Sequence, residues 1–226
     1  RYAFCHPDRN EEGYGVNARG VRQASAAGAS LIVTLDCGTE AIEPVAEARR
    51  AGIDVVVIDH HIPEAGLPPA TAVVNPKKEE CPYPCEELAA AGVVLKFARA
   101  LVEELRATLP WDEILQLAAL GTVADVAPLR GENRIIAALG LAAMNRSAIP
   151  GIEALLRAAA LGPPALLARH LAFQVGPRLN AAGRVGRPED ATSLLLESDF
   201  GRCMPVAREL NRLNARRQAI EKAITE

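Results

Sequence analysis

Aromatic residues are scarce in this chain: four Phe, three Tyr and one Trp make up 4% of its 226 residues. Burial must therefore rest on Ala, Leu, Val and Ile, and a 50% hydrophobic content is ample for a globular core of one large or two small domains. No apolar run approaches the length that spans a bilayer, which excludes a transmembrane reading, and no basic-apolar-small leader opens the sequence. The expected compartment is the cytoplasm. Five cysteines, an odd number with Cys5, Cys37 and Cys203 far apart, fit reduced thiols and not a disulfide framework. Cys81 and Cys85 have no second Cys/His pair at ligand spacing, and Pro82 and Pro84 mark a loop between them, so a zinc site is not expected there. A net charge of −3 argues against coating nucleic acid by bulk electrostatics. Any such binding is local, and the segment from Gly176 to Pro188 offers Arg178, Arg184 and Arg187 with no acidic residue among them. Internal repeats and low-complexity tracts are absent.

What is present centres on Val55-Val56-Val57-Ile58-Asp59-His60-His61. Four β-branched residues after the Gly52 turn signal predict a strand buried on both faces of a parallel sheet, ending in three side chains able to serve a metal. In open α/β sheets, ligands bind beyond the carboxyl ends of the strands. Leu31 to Leu35 predicts a second buried strand, ending in Asp36-Cys37-Gly38-Thr39, and a helix over about 40–51 joins the two. A strand-helix-strand unit of this kind makes a parallel pair, so Asp36 and His60 are expected at the same sheet edge.

The remaining pattern is mostly helical. Residues 1–5 alternate as a strand would, and the Pro, Asn, Asp and Gly of 6–15 predict a loop from which Arg9 could reach an anion. Helices are predicted at about 17–27, 86–105, 111–123, 132–144, 150–161, 188–196 and 201–226, with a short strand at 71–74. Asp125 lies between apolar neighbours in Gly-Thr-Val-Ala-Asp-Val-Ala-Pro, a costly place for a carboxylate unless it is paired, hydrogen-bonded or bound to metal. The segment Gly176-Pro177-Arg178-Leu179-Asn180-Ala181-Ala182-Gly183-Arg184 reads as a compact loop whose arginine forks suit phosphate. The last helix, with Leu210, Leu213 and Ile220 as a thin apolar stripe, reads as a connector.

On these residues the chain resembles the DHH phosphoesterase family, named for the motif standing here at Asp59-His60-His61, and within it the RecJ-type single-strand-specific exonucleases. The resemblance runs through Arg9 with Glu11 to Gly15, Leu31 to Gly38, Ile58 to His61, Ala119 to Leu129 and Gly176 to Arg184. It implies an α/β fold, a parallel-sheet core with helices on both faces over residues 1–150, a helical segment with the Arg/Gly substrate loop over 151–200, and a connector helix over 201–226. It also implies that Asp36, His60 and Asp125 ligate metal, that His61 sits beside the scissile phosphate, and that Asp59 orients the histidines. Arg178, Asn180 and Arg184 would hold substrate phosphates, and Arg9 the terminal 5′ phosphate. Oxygen and imidazole donors suit Mn²⁺ or Mg²⁺, two of which can serve an in-line displacement at phosphorus.

The implied activity is a 5′-to-3′ exonuclease that releases 5′ mononucleotides from single-stranded DNA in repair and recombination. Single-strand-binding protein and a helicase are candidate partners, and no membrane is involved. The alternatives are an oligoribonuclease or dinucleotide phosphoesterase of the same superfamily, or a non-catalytic scaffold with the fold. The family's aspartate-rich Asp-x-Asp motif, glycine-histidine motif and oligonucleotide-binding fold are not in the 226 residues. The chain by itself is therefore expected to be an inactive inner part of a larger enzyme, with an unpaired sheet flank.

Overall fold

The computed structural model describes residues 1–7, 12–79, 81–162 and 165–225. The chain divides into two compact units, one of Arg1–Thr108 with Gly131–Asn133 and the other of Leu109–Arg130 with Arg134–Glu226. This division by contacts falls between Thr108 and Leu109, earlier than the boundary near residue 150 read from the sequence.

The first unit is α/β. Helix α1 (Ala18–Ala26) starts at Asn17, whose Oδ1 accepts from the Gly20 amide at 2.9 Å, a side-chain cap that replaces a missing helical bond. It is followed by β1 (Leu31–Leu35), α2 (Ile42–Arg50), β2 (Asp54–Ile58), β3 (Ala72–Val74) and α3 (Ala90–Leu105). The α2 helix carries Glu43 in its first turn and Arg49 and Arg50 in its last, which complements the helix dipole.

The strands form a three-stranded parallel sheet in the order β1-β2-β3. Leu31 stands opposite Asp54 and Leu35 opposite Ile58, so β1 and β2 end level with each other. One face, with Val55 and Val57, packs on Val21 of α1 and on Val45 and Ala48 of α2 to make the core of the unit. On the other face Ile58 is only 1% exposed, and α3 lies against β2.

Two sequence expectations are corrected in this unit. Strand β1 is not buried on both faces: among the described residues it pairs only with β2, and Leu31, Val33 and Leu35 are 51%, 44% and 49% exposed. Ile32 and Thr34 turn toward the core side, while Leu31, Val33 and Leu35 point to the opposite face, where α3 lies against β2. Residues 1–5 form no strand either, because no ladder bonds reach them; Tyr2 and Phe4 instead meet edge to face, with ring centroids 5.7 Å apart.

The second unit is helical: α4 (Trp111–Ala124), most of α5 (Gly131–Arg146), α6 (Pro150–Ala158), a short α7 (Ala168–His170) running through a π-helical turn at Leu171–Val175 into α8 (Gly176–Val185), then α9 (Pro188–Leu196) and α10 (Phe200–Thr225). The long α10 is more than a connector. Its Cys203, Ala207, Leu210 and Leu213 are buried where it packs on α6 and α8, while Ile220 beyond them is exposed. Gln116 fastens the turn between α5 and α6 through bonds of 2.9 Å to the Ser147 carbonyl and the Ile149 amide.

The arginine-glycine segment is a helix and not a loop. Pro177 sits in the first turn, where its missing N–H costs nothing, and Ala181 and Ala182 sustain the helix through Gly183. Gly176 lets this helix approach α4 closely, since a Cβ there would lie 3.0 Å from that of Ala124. Among the described residues no single helix is long and apolar enough to cross a membrane.

Candidate metal centre

The level ends of β1 and β2 bring the chemistry together. The Asp36 amide still donates to the Ile58 carbonyl at 3.0 Å, as the last rung of the ladder, and the chain then turns sharply with Asp36 at φ 60°. Few side chains tolerate that left-handed backbone, and aspartate is one that does. The turn is closed by the Thr34 hydroxyl, which donates to the Cys37 carbonyl at 2.8 Å, and by Gly38 at φ 109°. A Cβ on Gly38 would stand 2.6 Å from Thr34 Oγ1 and 3.2 Å from Val57 Cγ1, so only glycine fits.

At the end of β2, Asp59 is 1% exposed. Its Oδ1 accepts from the amides of His60 at 2.8 Å and His61 at 3.3 Å and lies 2.6 Å from His61 Nδ1, while Oδ2 accepts from the Thr39 amide at 3.0 Å. Burial by itself would raise the pKa of this carboxyl, but the bonds from His61, Thr39 and His60 outweigh it and hold the group below the ordinary carboxylate value. An ionised Asp59 accepts a hydrogen bond from the Nδ1–H of His61, which leaves the Nε2 lone pair of that ring for a ligand or substrate.

Asp36, His60 and His61 each offer a donor atom within 4.8 Å of the others. His60 Nε2 is 3.3 Å from Asp36 Oδ1, and two ligands of one octahedral ion at about 2.1 Å stand roughly 3 Å apart. The His60 ring meets the His61 ring edge to face with centroids 4.9 Å apart. The neighbouring Cys37 thiol is pushed up to about 11, first by burial and then by the Asp59 and Asp36 charges, so it is a neutral thiol at physiological pH. One carboxylate and two imidazoles fit a hard or borderline divalent cation.

The other sequence candidates are placed as follows. Arg9 lies outside the described residues. Asp125 belongs to the second unit and ends α4, with its amide bonded to the Gly121 carbonyl at 2.9 Å. It is exposed and not enclosed by its apolar neighbours, because the helix stops there and Val126, at φ 60° and 83% exposed, carries the chain outward. The close approach of Gly176 to Ala124 sets the start of α8 beside this end of α4.

On α8 the three polar candidates separate. Arg178 Nε donates to Asn211 Oδ1 at 2.9 Å and Nη1 to the Gln174 carbonyl at 2.5 Å, which ties α8 to α10 and to the π-helical turn. Burial draws its pKa down from the usual value. Asn180 and Arg184 are exposed and, four residues apart, share one helix face.

Three residues near the cluster carried no individual role in the sequence. Thr39 supplies the amide for Asp59, and buried Asn75 donates to Thr39 Oγ1 at 3.0 Å and to the His61 carbonyl at 2.8 Å. Tyr14 donates its hydroxyl to the Asp36 carbonyl and sets its ring edge to face against His61, centroids 6.0 Å apart. The only sequence signal for Asn75 was its place before Pro76 at the end of a strand, the same carboxyl edge that carries Asp36 and His60.

Comparison with known proteins identifies the family. The chain is 42% identical over 232 residues to the single-stranded-DNA-specific exonuclease RecJ of Escherichia coli K12, covering 98% of this chain and 40% of that protein. It is 40% identical over 223 residues to RecJ of Bacillus subtilis 168, covering 99% of this chain and 28% of that protein. It therefore spans less than half the length of these relatives. A crystal structure of exonuclease RecJ bound to manganese superposes with a TM-score of 0.82 at 39% identity, over 96% of this chain and 55% of that one. RecJ of Thermus thermophilus in complex with Mn²⁺ gives 0.80 at 37% identity, over 92% of this chain and 31% of that one. The model of the DHH family N-terminal domain matches residues 2–122, more than half of the chain and the whole of the Asp36-to-His61 region, and this chain belongs to the DHH family.

Proposed function

We propose that this chain forms the metal-dependent catalytic core of an exonuclease that removes 5′ mononucleotides from single-stranded DNA, in the 5′-to-3′ direction, during repair and recombination. The observation that carries the reading is the convergence of Asp36, His60 and His61 within 4.8 Å at the carboxyl edge of the sheet. Similarity to proteins named as single-stranded-DNA-specific exonucleases, with solved relatives holding Mn²⁺, supports it. The cytoplasm, where such a substrate is found, is the compartment this reading assigns.

Asp36 and His60 hold a divalent ion, Mn²⁺ or Mg²⁺, with Asp125 as a further carboxylate ligand. When bound, such ions polarise a phosphodiester and lower the pKa of water. A second ion calls for ligands beyond these three residues. Asp59 keeps the His61 ring turned with its Nε2 outward, and His61 contacts the scissile phosphate. Asn180 and Arg184 bind backbone phosphates from the exposed face of α8, Arg178 fixes that helix while facing the same substrate, and Arg9 receives the terminal 5′ phosphate.

The test is digestion by the full-length protein with Mn²⁺ of a long single strand, its duplex and a dinucleotide, the strand labelled at either end. Release of 5′ mononucleotides from the single strand is expected. Hydrolysis of the dinucleotide alone would replace this reading with a small-substrate phosphoesterase, and no hydrolysis with a scaffold.

A further inference from the structure

We propose that Tyr14 is a positioning residue of the Asp36-His60-His61 cluster, acting through the Asp36 main chain and the His61 ring; this rests on the metal-binding reading of that cluster. Asp36 is held with φ at 60°, a left-handed backbone that aspartate tolerates and that its partners here fix. Its N–H is fixed by the sheet, through the 3.0 Å bond to the Ile58 carbonyl. Its C=O is fixed by the Tyr14 hydroxyl. Both amide groups of the residue are thus pinned by partners distant in sequence, and the direction of the carboxylate follows from the backbone.

The same tyrosine ring lies edge to face with His61, centroids 6.0 Å apart and planes at 67°, and His61 stands likewise to His60 at 4.9 Å and 73°. The segment is seated against the turn: a Cβ on Gly15 would fall 3.7 Å from that of Cys37. Asp59 locks His61 through Nδ1, and Tyr14 borders it from the side of Asp36. One hydroxyl and one ring therefore relate a carboxylate after β1 to an imidazole after β2 without touching the substrate.

The experiment compares wild type with Y14F, Y14A and D36N in the full-length protein, by calorimetric Mn²⁺ titration, metal-free melting and single-strand digestion. Y14F keeps the ring and loses the donor. The loss of one neutral hydrogen bond predicts Mn²⁺ affinity about three- to tenfold weaker, with kcat lowered, KM for single-stranded DNA unchanged and the metal-free melting temperature retained. Y14A should be more severe, because the ring against His61 is lost as well. Wild-type Mn²⁺ affinity in Y14F, beside a weakened D36N, would overturn the inference alone, as would a raised KM with metal affinity intact, which would make Tyr14 a substrate contact. Unchanged Mn²⁺ affinity in D36N would bring down the metal reading and this inference together.

Discussion

His60 Nε2 stands 3.3 Å from Asp36 Oδ1, although the two residues follow different strands and are separated by a whole helix. The parallel register that sets Leu35 opposite Ile58 makes this proximity a property of the fold. It also makes it measurable. With Mn²⁺ at about a hundred times its dissociation constant, native-state binding should stabilise the full-length protein by about 2.7 kcal/mol, and a chelator should remove that gain. In D36N and H60A the difference in melting temperature with and without Mn²⁺ should largely disappear, and an undiminished metal-dependent shift would show that the ion binds elsewhere.

Asp59 should govern acid stability. Its folded pKa lies below the ordinary carboxylate value, so its contribution is fully present above roughly pH 4, near the unfolded pKa, and is lost as pH falls through the depressed folded value. D59N should melt lower than wild type at pH 7 and lose less stability than wild type on acidification. D59A leaves the amides of Thr39, His60 and His61 without their acceptor and should cost about 3 kcal/mol. Melting curves from pH 7 to 3 decide it; parallel curves for D59N and wild type would mean that the carboxylate is not the titrating group.

Gly38 should not accept a side chain. With φ at 109° and a Cβ position 2.6 Å from Thr34 Oγ1, G38A strains the backbone and pushes on the β1 turn. A loss of about 2 kcal/mol or more is expected in denaturant unfolding, together with weaker Mn²⁺ binding because Asp36 moves with the turn. A variant as stable as wild type would show that the turn relaxes freely.

The two arginines of α8 should behave differently. Arg178 is engaged with Asn211 and the Gln174 carbonyl, so R178A should lower thermal stability by about 1–2 kcal/mol in addition to any effect on DNA. Arg184 is exposed, and R184A should leave melting unchanged while weakening single-strand binding by about 1.5–3 kcal/mol. Binding isotherms and melting curves for the pair separate the roles; equal binding losses with equal stability would place both arginines on the substrate.

The sequence by itself determined the order of elements and the point of chemistry. Alternating turn signals and apolar runs defined β1, α2 and β2, and the crossover rule then placed Asp36 and His60 at one edge without any contact being known. The extents of α4 and α9 were also legible, because helix periodicity is a local property.

Tertiary structure decided what depends on partners remote in the chain. The exposure of Leu31, Val33 and Leu35 follows from the placement of α3, which lies against β2 on their face of the sheet, and a strand's own apolar residues do not encode where a distant helix packs. The arginine-glycine segment was read as a loop because glycine and proline usually break helices, yet Gly176 serves close packing on Ala124 and Pro177 occupies a first turn. That helix in turn split Arg178 from Arg184, one facing Asn211 and one facing outward. Tyr14, Thr39 and Asn75 joined the site through hydrogen bonds spanning 20 residues or more, and Asp125 turned out exposed where its neighbours suggested burial. Periodicity encodes which face of an element is apolar; the partner of a particular hydroxyl or amide is set only when distant segments pack.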